Sequence, residues 1–151
     1  MAVAAPTVAP WTGGQMKIEG GCLCGKAHYS ADAEPIFVGV CHCKNCQKAS
    51  GAAFATVVAV PKPALHLTGE LKTFTGRGDS GKATYRRFCA DCGSPLIDEA
   101  EVMPDVAMIF TGTLDDANWV RPTMEIYCDS AQPWVKLEGG YQRFPKMPNP
   151  G

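Results

Sequence analysis

The sequence predicts one mainly β domain that is held together by metal-binding turns. Three observations predict this fold. First, the 151 residues include 16 Gly and 12 Pro, a composition that favours many turns over long helices. Second, no window of 11 residues shows the 3.6-residue period of an amphipathic helix. Third, most of the eight cysteines stand one or two residues apart, in glycine-rich surroundings that let the backbone bend around a metal ion.

The predicted strands are short apolar runs separated by Gly or Pro. In chain order we expect them at 16–18, 26–31, 36–40, 54–60, 65–68, 71–75, 82–88, 106–112 and 123–127, with a further extended segment at 95–97. Residues 65–74 read LHLTGELKTF, which predicts a hairpin with Gly69 in its turn. After Cys46 we expect one helical turn that ends at Gly51.

Length and composition indicate a single domain with an apolar core, since 46% of the residues are hydrophobic and 19% are charged. Residues 1–14 contain no Lys or Arg, unlike a secretory signal, so we expect a flexible leader. The domain is expected at 15–144 and a loose Pro-rich tail at 145–151. No apolar run approaches the roughly 20 residues of a membrane-spanning helix. We therefore expect a cytoplasmic protein with no membrane association.

The balance of charges argues against nucleic acid as a partner. The chain has 14 basic and 15 acidic residues, a formal net charge of -1. A protein that neutralises phosphates along DNA or RNA needs an excess of positive charge. Edge strands could pair two copies into a homodimer, although nothing in the sequence requires it.

The cysteines form three clusters and one single position: Cys22 and Cys24; Cys41, Cys43 and Cys46; Cys89 and Cys92; and Cys128. Four disulfides would need an oxidising compartment, which the absence of an export signal opposes. Thiols spaced this closely suit a metal better than each other, and zinc is the metal that takes cysteines from two short turns. The sequence therefore favours zinc over disulfides.

Counting ligands divides the clustered thiols into two sites. The pairs Cys22/Cys24 and Cys89/Cys92 can make one closed four-cysteine site, which is typical of structural zinc. The triplet of Cys41, Cys43 and Cys46 leaves one position open, which is typical of catalytic zinc. An open zinc of this kind could accept a substrate thiol. Alternatively, Cys128 could complete the triplet and close it, and the sequence alone leaves both arrangements open.

Five segments together resemble a known family: GGCLCGKAHY, CHCKNCQKASGAAFAT, FCADCGSPL, FTGTLDD and EIYCDSAQPW. They resemble the glutathione-dependent formaldehyde-activating enzymes, whose domain also occurs in centromere protein V type proteins. The resemblance covers residues 20–144 and implies an Mss4-like fold of coiled β-sheets with two zinc ions per chain. It implies a structural zinc on Cys22, Cys24, Cys89 and Cys92, and a catalytic zinc on Cys41, Cys43 and Cys46.

The resemblance also implies an activity. The family's named reaction joins glutathione to formaldehyde, which is carbon–sulfur lyase chemistry in reverse. The expected partners are therefore a small thiol and an aldehyde. Two other functions stay open. The domain could be a non-catalytic zinc module that binds a protein, or a redox enzyme that uses an exposed Cys128 with a lowered pKa.

Several other residues have a functional and a structural interpretation. His42 could move a proton or hydrogen-bond a metal-bound thiolate, or it could simply face solvent. Arg77, Lys82 and Arg86 could receive the carboxylates of a peptide-like thiol, although a solvated hairpin explains the same charges better. Trp119 and Trp134 are expected to anchor the core.

Overall fold

The protein is described here from a computed structural model, which covers residues 11–148. The chain forms eleven strands and one α-helix in this range. They are β1 (Met16–Gly21), β2 (His28–Ala33), β3 (Phe37–Cys41), α1 (Lys44–Ser50), β4 (Ala55–Pro61), β5 (Leu65–Thr68), β6 (Leu71–Arg77), β7 (Ala83–Cys89), β8 (Pro95–Ala100), β9 (Met103–Phe110), β10 (Met124–Ile126) and β11 (Gln142–Arg143). Single 3₁₀ turns lie at 62–64, 111–113 and 128–130.

The strands build two sheets. The small sheet has the order β1-β2-β5, and the large sheet has the order β11-β10-β3-β4-β9-β8-β7-β6. The pairs that β10 makes with β3 and β11 are parallel, and the other pairs in both sheets are antiparallel. The prediction of a mainly β domain is confirmed, and every predicted strand is present. Both sheets have open edges, and the homodimer stays a prediction.

The predicted hairpin at 65–74 is wrong, although both of its strands exist. β5 pairs with β2 in the small sheet, whereas β6 pairs with β7 in the large sheet. Gly69 lies between them with φ at 89°, and a Cβ there would collide with the backbone carbonyl of Lys26. A tight glycine turn has the same sequence pattern whether the two strands beside it pair with each other or join different sheets. Here each strand finds a better partner elsewhere, so the chain crosses from one sheet to the other.

The core lies between the sheets and is made of aliphatic side chains from both. Its fully buried members include Ile18, Val58, Leu96, Ile97 and Ile109. Trp119 is buried against them, as predicted. Trp134 is 73% exposed, so the prediction that it anchors the core is wrong.

The predicted leader and tail are only partly described. Residues 1–10 and 149–151 lie outside the described range. Within it, Trp11 packs against the core and its backbone N–H donates to the carbonyl of Trp119 at 3.3 Å. In the tail, the carbonyls of Pro145 and Lys146 accept hydrogen bonds from Asp129 and Tyr127. None of the described helices is long and apolar enough to cross a membrane.

Candidate metal centres and active site

The first cysteine group joins the two sheets. Cys22 and Cys24 lie in the turn between β1 and β2 of the small sheet, while Cys89 ends β7 and Cys92 lies in the turn to β8 of the large sheet. Their four sulfur atoms all lie within 4.8 Å of one another. A cation held there would therefore connect the ends of both sheets.

The sulfur spacing fits a tetrahedral metal site. Zinc–sulfur bonds of about 2.3 Å place the sulfurs of a tetrahedral site about 3.8 Å apart. The Sγ atoms of Cys22 and Cys24 are 3.5 Å apart, and those of Cys24 and Cys89 are 3.7 Å apart. All eight cysteines are unpaired. The donor set therefore suits zinc rather than disulfides.

Two glycines and two backbone hydrogen bonds shape these turns. Gly25 and Gly93 follow the two cysteine pairs with φ values of 80° and 76°, a left-handed conformation in which glycine carries no steric penalty. The backbone N–H of Ala27 donates to the sulfur of Cys22, and that of Asp91 donates to the sulfur of Cys89. The bond from Ala27 lowers the pKa of the Cys22 thiol and so favours its thiolate, which is the form that binds metal.

The second group comes from one continuous loop. Cys41 ends β3, Cys43 caps the N-terminus of α1, and Cys46 lies in the first turn of that helix. The Cys43 sulfur accepts the backbone N–H of Cys46 at 3.2 Å. The three sulfurs lie within 4.8 Å of one another, with Cys41 buried and the other two half-buried. The three sulfurs come close together because the end of the strand is followed directly by a helical turn.

The electrostatics of the triplet also favour a cation. Hydrogen bonds from the Cys41 and Cys46 thiols lower the pKa of Cys43 far below its usual range. The hydrogen bond to Cys43 raises the pKa of Cys41, because a thiol that donates its proton in such a bond is stabilised in its protonated form. One of the three adjacent thiols is therefore readily deprotonated, whereas deprotonation of the others needs a nearby positive charge.

Cys128 does not complete the triplet. Within residues 11–148, no His, Cys, Asp or Glu supplies a fourth ligand atom within 4.8 Å of all three sulfurs. Cys128 lies in the 3₁₀ turn after β10, where it groups with His42 and Glu125 instead. It is half-buried, and burial raises the pKa of its thiol. It therefore lacks the exposed, low-pKa thiol that a redox function would need.

His42 faces inward, so the interpretation of a solvent-facing ring is wrong. The side chain is 1% exposed, and its Nε2 lies 2.9 Å from Oε1 of Glu125 on β10. Arg143 on β11 makes an ion pair with the other oxygen of Glu125 at 2.7 Å. The Phe54 ring packs against the imidazole, with ring centroids 5.6 Å apart. This chain of contacts fixes the loop between Cys41 and Cys43 to the edge of the large sheet.

Arg86 lies on β7 beside the triplet, and its side chain is largely buried rather than solvated. Its Nη1 donates to Oδ2 of Asp98 on the neighbouring strand at 2.7 Å, and its Nη2 lies 4.0 Å from the Cys46 sulfur. The other Asp98 oxygen, Oδ1, is buried without a hydrogen-bond partner. Burial raises the pKa of Asp98 to about 6. Arg77, by contrast, donates to the Gly81 carbonyl in the β6–β7 turn.

Two cavities meet at the triplet. A cavity of about 410 Å³ has Cys41 and Cys46 in its wall, together with Arg86 and Asp98. A more polar depression of about 290 Å³ lies on the side of Cys43. Tyr127 and Asp79 line both spaces. The triplet therefore stands where reactants could approach from two directions.

Comparison with known proteins decides the family. Residues 17–130 match the family described as glutathione-dependent formaldehyde-activating enzyme. The chain belongs to this family. The matched range includes all eight cysteines, so both sulfur groups fall within the glutathione-dependent formaldehyde-activating enzyme domain. The two sheets with their cysteine-bearing turns fit the Mss4-like fold that the sequence resemblance implies.

A solved structure supports the fold. The chain is similar to the crystal structure of a Rhodobacter sphaeroides protein, with 16% sequence identity and a TM-score of 0.53. The alignment covers 69% of this chain and 91% of that chain. At this identity the likeness concerns the fold alone. No curated protein matches the sequence.

Sequence reasoning found all the clustered sulfurs but missed Glu125, Arg143 and Asp98. Each of these residues acts through a partner on another element, as Glu125 does with His42, 83 residues before it. The only local signal was a single charged residue in a short strand, which is too common to identify a site.

Proposed function

We infer that this protein joins a small thiol to an aldehyde at the triplet of Cys41, Cys43 and Cys46, and cleaves the adduct in the reverse direction. The observation that carries this proposal is the open triplet: three sulfurs converge from one loop, no fourth protein ligand stands among the described residues, and a cavity opens on two of them. Three protein ligands and one open position are typical of catalytic zinc.

Zinc fits both sulfur groups. The triplet would hold the catalytic ion, and Cys22, Cys24, Cys89 and Cys92 would hold the structural one. When bound at the triplet, zinc supplies the positive charge that lowers the pKa of a substrate thiol and keeps that thiol beside the aldehyde. A thiol has an ordinary pKa of about 8.5, so it is mostly protonated at neutral pH without such help.

The reaction needs a proton to be moved but no oxidant. The S–H bond of the thiol breaks, the sulfur's electron pair forms a bond to the carbonyl carbon, and the carbonyl oxygen becomes a hydroxyl by taking a proton. Asp98 is the group that we assign to this transfer. Its Oδ1 has no partner, it lines the cavity beside Cys41 and Cys46, and its pKa of about 6 suits proton exchange near neutral pH.

Arg86 has a positioning and electrostatic role in this scheme. It keeps Asp98 in place through the 2.7 Å hydrogen bond and brings a second nitrogen towards the Cys46 sulfur. A guanidinium at this place would stabilise negative charge that develops on the carbonyl oxygen. We place the activity in the cytoplasm, where clustered thiols remain reduced.

The proposal is tested by comparing Cys41→Ser with Cys128→Ser. Formaldehyde consumption in the presence of a thiol, and adduct formation followed by NMR, should be lost in Cys41→Ser. Both should be retained in Cys128→Ser, because Cys128 stands outside the triplet. Equal turnover in both variants would show that the triplet does not take part in the reaction. A wild-type protein that retains two zinc ions but consumes no aldehyde with any thiol would favour the non-catalytic binding module.

A further inference from the structure

The cavity beside the triplet is lined mainly by apolar side chains, whereas glutathione, the thiol of the family's named reaction, carries two carboxylates. It lies on one face of the large sheet, where β3, β4, β9 and β10 contribute its walls. Its apolar lining includes four methionines, namely Met103, Met108, Met124 and Met147. Methionine side chains are flexible and polarisable, so such walls adapt to apolar ligands of different shapes.

The size of the cavity also needs an explanation. Formaldehyde has two heavy atoms and would leave most of the 410 Å³ unfilled. Cavities that enclose small organic ligands range from about 300 to 1,000 Å³. The other reactant, the thiol, must therefore account for most of the space. Because Cys41 and Cys46 form part of the wall, a thiol whose sulfur is at the triplet can extend its body directly into the cavity.

The charges around the cavity oppose a peptide thiol with carboxylates. The lining contains two cations, Lys82 and Arg86, and three acids, Asp79, Asp98 and Glu99. Arg86 is paired with Asp98. Lys82 is exposed, and it is the one cation of the described lining that forms no ion pair. Glu99 is paired with Lys62 and Arg87, which lie outside the lining. A buried carboxylate needs a cation or several donors. Glutathione would bring two carboxylates to a lining in which Arg86 is already paired and Lys82 alone is free to receive one.

We propose that the substrate thiol carries an uncharged apolar body, aliphatic or aromatic, which this cavity encloses while the sulfur lies at the triplet. This inference rests on the proposed function and specifies the substrate class for it. The adduct is an S-(1-hydroxyalkyl) thioether of an apolar thiol, formed with the bond changes given above. The aldehyde then occupies the triplet end of the same cavity, where Arg86 and Asp98 lie, and the polar depression beside Cys43 is left for water.

The test measures binding and turnover separately. The probes are benzyl mercaptan, which is apolar, and glutathione. Their binding to the zinc-loaded protein is measured by calorimetry without aldehyde, and formaldehyde consumption is measured with each thiol. We expect benzyl mercaptan to bind at least about tenfold more tightly, a ratio that burial of a few apolar groups readily produces.

Variants within the wall show where the probe binds. Met108→Glu should weaken benzyl mercaptan binding by about tenfold or more, because it places a carboxylate in the apolar wall. The matched control Met108→Leu conserves volume and polarity and should bind within about threefold of the wild type. Met124→Gln provides a second polar change if Met108→Glu fails to fold, as judged by its melting temperature and zinc content.

The outcomes separate this inference from the proposed function. Glutathione preferred over benzyl mercaptan, with no effect of Met108→Glu, would overturn the inference and leave the reaction intact. Benzyl mercaptan that binds in the wall but is never joined to formaldehyde would support the apolar ligand class and contradict the proposed reaction. If Met108→Glu instead converts a dimer into a monomer without changing thiol binding, a second copy of the chain covers this face and the inference is overturned.

Discussion

Glu125 connects the triplet loop to the large sheet through His42. Its Oε1 lies 2.9 Å from Nε2 of His42, and both side chains are buried. His42 stands between two of the triplet cysteines, so its orientation influences where their sulfurs lie. Partners outside the ligand set commonly orient metal-binding residues and affect metal retention. The His42–Glu125 contact is therefore a support of the candidate active site.

Replacing Glu125 should destabilise the fold and loosen the triplet. Glu125→Ala leaves the buried His42 without its partner and removes the ion pair with Arg143, and we expect a loss of about 3 kcal/mol in the free energy of unfolding. Urea denaturation measures this loss, and competition with a chelator measures metal retention. Glu138→Ala, at an exposed position, is the control and should change neither quantity. Equal stability and equal metal retention in the two variants would show that Glu125 does not support the triplet.

Asp98 should titrate well above an ordinary aspartate. Burial raises its pKa from 3.8 to about 6, so the folded state binds this proton more tightly than the unfolded state. The stability contributed by the protonated form is therefore full below about pH 4 and is lost as the pH rises through about 6. The ¹³C shift of the carboxyl carbon should show a midpoint near pH 6.

The variant Asp98→Asn gives an independent check of the same shift. Relative to Asp98→Asn, the wild type should lose stability as the pH rises from 5 to 7. A carboxyl midpoint near pH 4, or a stability difference that is constant over this range, would contradict the raised pKa. In turnover, we expect the same substitution to remove an apparent pKa near 6 from the rate profile.

Loss of one cysteine from the four-cysteine group should destabilise the whole domain. Cys92→Ser removes one of the four sulfurs that bring the ends of both sheets together. Structural zinc contributes directly to folding stability, so the melting temperature should fall and one equivalent of zinc should be lost. Cys128→Ser is the matched control. An unchanged melting temperature in Cys92→Ser would show that this group does not hold the sheets together.

Gly69 should tolerate no side chain, for two reasons that a control can separate. Its φ is 89°, and a Cβ would meet the backbone at Lys26 and Ala27. Gly81, in the β6–β7 turn, has a similar φ of 80° with open space around it. Gly81→Ala should therefore cost about 1 kcal/mol from backbone strain alone, and Gly69→Ala clearly more. Equal costs in urea denaturation would show that the contact with Lys26 and Ala27 adds nothing.

The cysteines within each cluster were predictable because their spacing is local, whereas the meeting of Cys22 and Cys24 with Cys89 and Cys92 is long-range and was inferred only from the count of four ligands. A loop such as Cys41 to Cys46 converges its sulfurs through a strand end and one helical turn, so spacing in sequence indicates proximity in space. The same holds for the strands, whose apolar runs and glycine or proline boundaries are short-range signals. The number of thiols in each cluster favoured the division into two sites, but the sequence left open whether Cys128 completes the triplet.

The features that the sequence did not predict depend on contacts between residues on different elements. The hairpin at Gly69 was predicted because nothing local shows that β5 and β6 join different sheets. The His42–Glu125 pair joins the loop after β3 to β10, and the Arg86–Asp98 pair joins β7 to β8. In sequence, the ionisable side chains of both pairs look like ordinary surface groups. Trp134 was expected to anchor the core, yet it lies after β10 in a segment that leaves most of its side chain exposed.

The most direct test of the open triplet is the zinc content per chain, measured before and after treatment with a mild chelator. We expect two zinc ions, one that resists removal and one that is readily stripped, with Cys41→Ser lacking only the labile ion. Two ions that both resist the chelator would indicate two closed sites and contradict an open catalytic triplet. One ion or none would contradict the division of the cysteines itself.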